Sequence, residues 1–189
     1  MFIVLTLLLF TEGICRDRPQ KQLLRISPLS NMDAELRIGD IAPDFKMPSV
    51  DRDEFSLYGE LENGPILLNF YVGDFGINCT AYMMRMIELF SEFDNIGVRI
   101  FTINPDGLES HKLFRDRINS PYDHIFDKGQ EVSKAYGSII KESEIVKGFT
   151  NREFFFIDTD RTIRYIWRAP IPKILPDMDE ILAELKKII

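Results

Sequence analysis

Soft ligands and disulfide partners are scarce in this chain: 189 residues hold two cysteines, two histidines and one tryptophan. Two cysteines cannot staple a disulfide scaffold, and with the histidines they fall at no recognised spacing for a structural zinc site. A basic surplus is missing as well. Lys and Arg number 23 against 30 Asp and Glu, a net charge of −7, so the footprint a phosphate backbone requires is absent and no nucleic-acid partner is expected. The N-terminal MFIVLTLLLF is ten residues long, well short of the roughly 20 that span a hydrocarbon core. No internal repeat recurs, which excludes solenoids and propellers. What is present, 45% hydrophobic and 28% charged residues, suits one globular domain with a sizeable core.

The N-terminal segment admits three readings. Its apolar run has the length of a signal-peptide core, yet no basic segment precedes it and the following TEGIC lacks a small-x-small cleavage site. It also fits a short buried strand or helix. Alternatively the biological start is Met32, where MDAELRIGD opens polar and leads into the domain pattern. The division adopted is a hydrophobic and basic extension over 1–31 and a domain over 32–189, with a cytoplasmic location; export is the alternative if residues 1–15 act as a signal segment.

Within the domain, residues 43–57 read as two extended segments around the turn-prone Asp51-Arg52-Asp53, followed by a polar loop from Gly59 to Gly64. Ile66 to Tyr71 is a continuous apolar run bounded by turn formers, the pattern of a strand buried on both faces. From Cys79 to Phe93, Met83, Ile87 and Phe90 recur at helical spacing, widened by Met86 and Phe93. A strand over Gly97–Ile103, a charged helix over Leu108–Ile118, a short strand ending at Phe126 and a small helix closed by Gly137 continue the parallel α/β rhythm. EFFFID and TIRYIW, joined by Thr159–Arg161, form an antiparallel hairpin, and a last helix opens at Pro176. The expected class is α/β with a mixed central sheet flanked by helices.

Chemistry points to Cys79. A thiol in the first turn of a helix, just after a central strand, faces unpaired N–H groups that favour its reactive thiolate. The preceding Val72-Gly73-Asp74-Phe75-Gly76-Ile77-Asn78 carries two glycines that permit close backbone approach. Against this stands the frequent behaviour of free cysteine as a small buried hydrophobe. With no Cys-x-x-Cys at the turn, a dithiol oxidoreductase is disfavoured.

Four segments in order, IGDIAPDF, FYVGDFGINCT, IFDKGQEVSKAYG and REFFFIDTDRTIRYIW, make the region from about Leu36 to Ile189 resemble a peroxiredoxin of the alkyl hydroperoxide reductase/thiol-specific antioxidant group. The resemblance implies a thioredoxin-like fold, reduction of hydrogen peroxide or alkyl hydroperoxides through a sulfenic acid on Cys79, and a supporting arginine that matches Arg152. It implies no metal, flavin or haem, and a homodimer or higher homo-oligomer. Physically, a guanidinium beside a thiolate stabilises the anion and offers rigid donors to a peroxide oxygen.

The loop departs from the family's Pro-x-x-x-Thr-x-x-Cys: Val72 stands for the proline and Gly76 for the threonine, while Tyr82 replaces a common glutamate. Loss of the hydroxyl predicts a slower peroxidase. Val72, Gly76, Asn78 and Thr80 are assigned to the substrate-binding loop. A catalytically weak thioredoxin-fold binding or chaperone-like protein is the alternative reading. Cys15 lies outside the matched region, so the domain reads as one-cysteine in type and requires an external thiol reductant. His111 and His124 have no Cys or carboxylate at metal-ligand spacing and are assigned solvated or capping roles, Asp74 a turn-capping role, and Phe154–Phe156 and Trp167 a place in the core.

Overall fold

The computed structural model describes residues 35–189. The N-terminal extension, Cys15 and the start at Met32 lie outside the described residues. None of the described helices is long and apolar enough to cross a membrane.

A two-stranded antiparallel ribbon, β1 (Lys46–Met47) and β2 (Phe55–Ser56), folds around the Asp51–Asp53 turn and leads into α1 (Leu57–Leu61). The segment read as a loop from Gly59 therefore begins inside a helix. Ser56 caps it by accepting the Gly59 N–H, and Leu57 and Leu61 are both buried, so tertiary burial outweighs the helix penalty of one glycine.

The main sheet has strand order β5-β4-β3-β6-β7, built from β3 (Ile66–Phe70), β4 (Arg99–Asn104), β5 (Asp123–Phe126), β6 (Glu153–Ile157) and β7 (Ile163–Arg168). β3, β4 and β5 run parallel; β6 joins β3 antiparallel and β7 joins β6 antiparallel. The mixed α/β class expected from the sequence is the observed one. All five residues of β3 and of β6 are buried, as strands covered on both faces must be.

Alternation along these strands feeds two cores. Leu67, Tyr71, Phe154 and Phe156 pack on one face with α2 (Ile77–Glu88), α3 (Phe90–Asn95), α4 (Leu108–Ile118) and α6 (Met178–Ile188). Ile66, Leu68, Phe70, Phe155 and Ile157 pack on the other with α1, the ribbon and α5 (Glu131–Ala135). Phe154–Phe156 thus belong to the core as expected. Trp167 is only half-buried, its ring edge-on to Phe154 at 6.1 Å.

Other boundaries moved for local reasons. The helix expected from Cys79 to Phe93 begins two residues earlier, at Ile77, and breaks at Leu89, whose φ/ψ of −91°/9° leaves the helical region. A 3-10 turn over Lys128–Gln130 precedes α5, with Gly129 at φ 70°. Five residues, not three, join β6 to β7, and Arg161 takes φ 71° there. Pro176 does not open the last helix: Asp177 does, accepting from the Asp179 and Glu180 N–H groups.

Candidate active site

β3 delivers the chain at the end of the central strand into the Tyr71–Gly76 loop, and α2 leaves from it with Gly76 as its N-cap residue. Cys79 is the third residue of that helix, among the N–H groups that lack intrahelical partners. Its side chain is buried, with the residue 2% exposed.

Arg152, immediately before β6, comes to it from across the sheet because β3 and β6 are antiparallel neighbours, bringing the start of one strand beside the end of the other. Its Nη2 lies 3.8 Å from Cys79 Sγ, although the two residues are 73 positions apart. Nη1 donates to the Pro172 carbonyl, and the buried Nε has no hydrogen-bond partner among the described residues. Neither Asp158 nor Glu153 pairs with this guanidinium; Glu153 is held by Arg168, Ser138 and Asn151. A buried positive charge therefore faces the sulfur with one donor uncommitted.

Beneath the sulfur, Tyr82 fills the position expected to depart from the family pattern. Its hydroxyl donates to Asn69 Oδ1 at 3.3 Å, and Asn69 Nδ2 is buried without a partner among the described residues. Burial, with the Cys79 sulfur close by, pushes the Tyr82 phenol well above its ordinary range. Tyr82 is consequently a neutral wall rather than an acid or base near neutral pH.

Of the four loop residues singled out by sequence, Gly76 lies against the sulfur: a Cβ placed on it would stand 3.7 Å from Cys79 Sγ. Val72 is half-buried against the core under α2. Thr80 donates its backbone N–H to the Gly76 carbonyl at 2.8 Å as part of the helix, and its hydroxyl has no hydrogen bond to another described residue. Asn78 is exposed on the first turn of α2.

The histidines need correcting outright. His111 and His124 are neither solvated nor capping: both are fully buried, and with Tyr71 they surround the equally buried carboxylate of Asp74. Asp74 Oδ1 accepts from Tyr71 Oη at 2.7 Å, Oδ2 accepts from Ser110 Oγ at 2.7 Å, and His111 Nδ1 lies 3.0 Å from Oδ2. His124 Nδ1 is 3.2 Å from Tyr71 Oη. Burial opposes ionisation of Asp74, yet the His111, Tyr71 and Ser110 contacts outweigh it and leave the carboxyl below its usual value. Desolvation, aided by His111, drives the His124 imidazole down to about 3. Linear spacing hid this cluster; the only sequence signal was that Tyr71 and Asp74 flank one turn.

A mixed sheet whose central strand runs into a helix carrying a buried cysteine, faced by one arginine, is an arrangement suited to thiol chemistry. The family model described as AhpC/TSA family matches residues 38–166, and the chain belongs to that family. Among curated relatives, a bcp-type peroxiredoxin of Coxiella burnetii is 26% identical over 144 residues, covering 75% of this chain and 92% of that protein. A 1-Cys peroxiredoxin of Dictyostelium discoideum is 29% identical over 159 residues, 81% of this chain but 63% of its own length, so the chain spans less than two thirds of that relative. Among solved structures, peroxidoxin BcpB of Mycobacterium tuberculosis superposes with a TM-score of 0.72 at 25% identity, covering 82% of this chain and 99% of that one. A cysteine-to-serine variant of peroxiredoxin 6 from Arenicola marina, at 21% identity, gives a TM-score of 0.74 over 81% of this chain and 73% of its own, a likeness of fold.

Proposed function

We propose that Cys79 is the peroxidatic residue, that Arg152 positions and stabilises the reacting oxygens, and that the oxidised sulfur is restored by an external thiol. The observation that carries this is the buried Arg152 guanidinium 3.8 Å from Cys79 Sγ with its Nε unpartnered. In the reaction, the Cys79 thiolate attacks the terminal oxygen of ROOH. The S–O bond forms as the O–O bond breaks, the sulfur is oxidised by two electrons to a sulfenic acid, and RO⁻ leaves to take a proton from solvent. Charge builds on that leaving oxygen, where Arg152 and the first-turn N–H groups of α2 can donate to it. A thiol then attacks the sulfenic sulfur, releasing water and forming a mixed disulfide, and a second thiol displaces it.

Val72, Gly76 and Thr80 shape the approach to the sulfur in this reading, with Asn78 on its rim. Hydrogen peroxide and small alkyl hydroperoxides are the substrates a buried sulfur behind a glycine admits. Self-association into a homodimer is part of the same proposal, supported by the exposed apolar side chains of Phe75 and Ile77 beside the site; light scattering reads it directly. Stopped-flow consumption of hydrogen peroxide by wild type and Cys79→Ser tests the assignment, together with mass spectrometry for one added oxygen on Cys79. A wild-type reaction abolished in the variant is expected; equal rates in the two would overturn it.

A further inference from the structure

The Tyr71, Asp74, His111 and His124 cluster takes no part in the chemistry at Cys79, yet it concentrates titratable groups in the core to an unusual degree. Tyr71 and Asp74 lie in the loop that leads from β3 into α2, His111 sits on α4 and His124 is the second residue of β5, so the cluster joins that loop to two further elements. Their donor atoms converge. Tyr71 Oη lies 2.7 Å from Asp74 Oδ1, 3.2 Å from His124 Nδ1 and 3.4 Å from His111 Nδ1. One ligand atom from each of Asp74, His111 and His124 falls within 4.8 Å of the others.

Proton bookkeeping within the cluster leaves a gap. His111 Nε2 faces the Ile125 carbonyl at 3.2 Å and can only donate to it. In a neutral ring Nδ1 then presents a lone pair to Asp74 Oδ2 and Oδ1 at 3.0 and 3.2 Å, an acceptor against a carboxylate. The buried contact is favourable only when one more positive charge lies between them, a proton or a metal ion. His124 Nε2 is 3.3 Å from Ser120 Oγ, which can take that N–H and leave the Nδ1 lone pair facing Tyr71 Oη at 3.2 Å. Histidines whose outer nitrogen is held by a carbonyl or hydroxyl while the inner one points at a further oxygen donor, Asp74 for His111 and Tyr71 for His124, have the outer-shell arrangement of metal ligands.

We propose that Tyr71, Asp74, His111 and His124 form a buried site for a borderline divalent transition metal, of which zinc(II) is the probe. Tetrahedral N/O coordination with bonds of about 2.0–2.1 Å sets donor atoms about 3.3 Å apart; the 2.7, 3.2 and 3.4 Å separations around Tyr71 Oη bracket that value, and the Asp74, His111 and His124 ligand atoms, within 4.8 Å of one another, have to draw together around an ion. Asp74 and an ionised Tyr71 balance the charge of the dication, and the displaced protons leave to solvent. The Val72–Gly76 loop beside the cluster is partly exposed, which puts solvent nearest the site on that side. A bound ion ties that loop to α4 and β5, next to the helix that presents Cys79.

The experiment uses the full chain with Cys15→Ser and Cys79→Ser, so that no thiolate competes for metal, stripped with a chelator and titrated with zinc against a chromophoric competitor. One equivalent per chain is expected, with proton release on binding and a tetrahedral visible spectrum on cobalt(II) substitution. His124→Gln should weaken zinc binding by at least about 100-fold, beyond the 10–100-fold that outer-shell partners carry. Tyr71→Phe, which keeps the ring in the core, is the second variant should His124→Gln fail to fold by circular dichroism, and should weaken binding by at least about tenfold. No zinc taken up by the parent, or affinity unchanged in a folded variant, overturns the site and leaves a proton alone between His111 and Asp74.

Discussion

Replacing Gly76 by threonine should speed the peroxidase, and the structure says by how much. Gly76 has φ −64° and ψ 129°, ordinary extended backbone open to any residue, so no strain opposes a side chain. The nearest atoms to a Cβ at this position are the Gly73 carbonyl at 3.5 Å and Cys79 Sγ and Cβ at 3.7 and 3.8 Å, which are normal contacts. A hydroxyl one bond farther out can reach hydrogen-bonding distance of the sulfur or of an incoming peroxide. A hydrogen bond to a charged partner is worth about 1.5–3 kcal/mol, which corresponds to about 10- to 150-fold in rate when felt wholly in the transition state. As N-cap of α2, threonine changes stability by only a few tenths of a kcal/mol relative to glycine. The assay is single-turnover stopped flow, comparing second-order rate constants for wild type, Gly76→Thr and Gly76→Val. Valine has the shape of threonine without the oxygen. An increase in the threonine variant alone is expected; equal gains in both would show that filled volume, not hydrogen bonding, limits the wild type, and no gain in either would refute the reasoning.

Arg152→Met removes the donors facing Cys79 and should lower the peroxide rate constant by about 100- to 1,000-fold, the usual cost of one transition-state donor, with Arg152→Lys recovering part of it. An unchanged rate in a folded Met variant would remove Arg152 from the mechanism. Phe155→Ala should cost about 3–5 kcal/mol in denaturant unfolding, because the side chain is fully buried and its ring packs against Phe70, Tyr136 and the Arg168 guanidinium. Glu153 is held above the ordinary glutamate value by burial, against the opposing pull of Ser138, Arg168 and Asn151. The native state then binds this proton more tightly than the unfolded chain, so its contribution to stability is full below about pH 4.5 and declines as pH rises through the raised value. Glu153→Gln removes that decline, and the difference in melting temperature between variant and wild type should shift in the variant's favour as pH rises across that window.

Local pattern carried much of the fold. The apolar residues of Ile66–Phe70, interrupted only by Asn69, and the three phenylalanines at 154–156 announce strands covered on both faces, and α4 occupies Leu108–Ile118 as its spacing predicts. Cys79 at a strand-to-helix turn was legible for the same reason: both the strand and the amphipathic helix are written in short-range periodicity. Helix α1 was not, since Gly59 and its polar neighbours argue for a loop and only the burial of Leu57 and Leu61 overrules them.

Distances between elements are a different matter. Ordinary sequence patterning said which residue types could serve a thiolate, but the antiparallel pairing of β6 with β3 is what brings Arg152 to Cys79. Likewise His111 and His124 looked like two isolated histidines, and the packing of α4 against β5 beneath the loop is what turns them inward onto Asp74 and Tyr71. Periodicity encodes which face of an element is buried; it does not encode which element that face will meet. The thiol and its helix were therefore determined by the sequence alone, whereas its cationic partner and the buried histidine cluster were decided by strand order and helix packing, the long-range contacts that exist only once the chain has closed on itself.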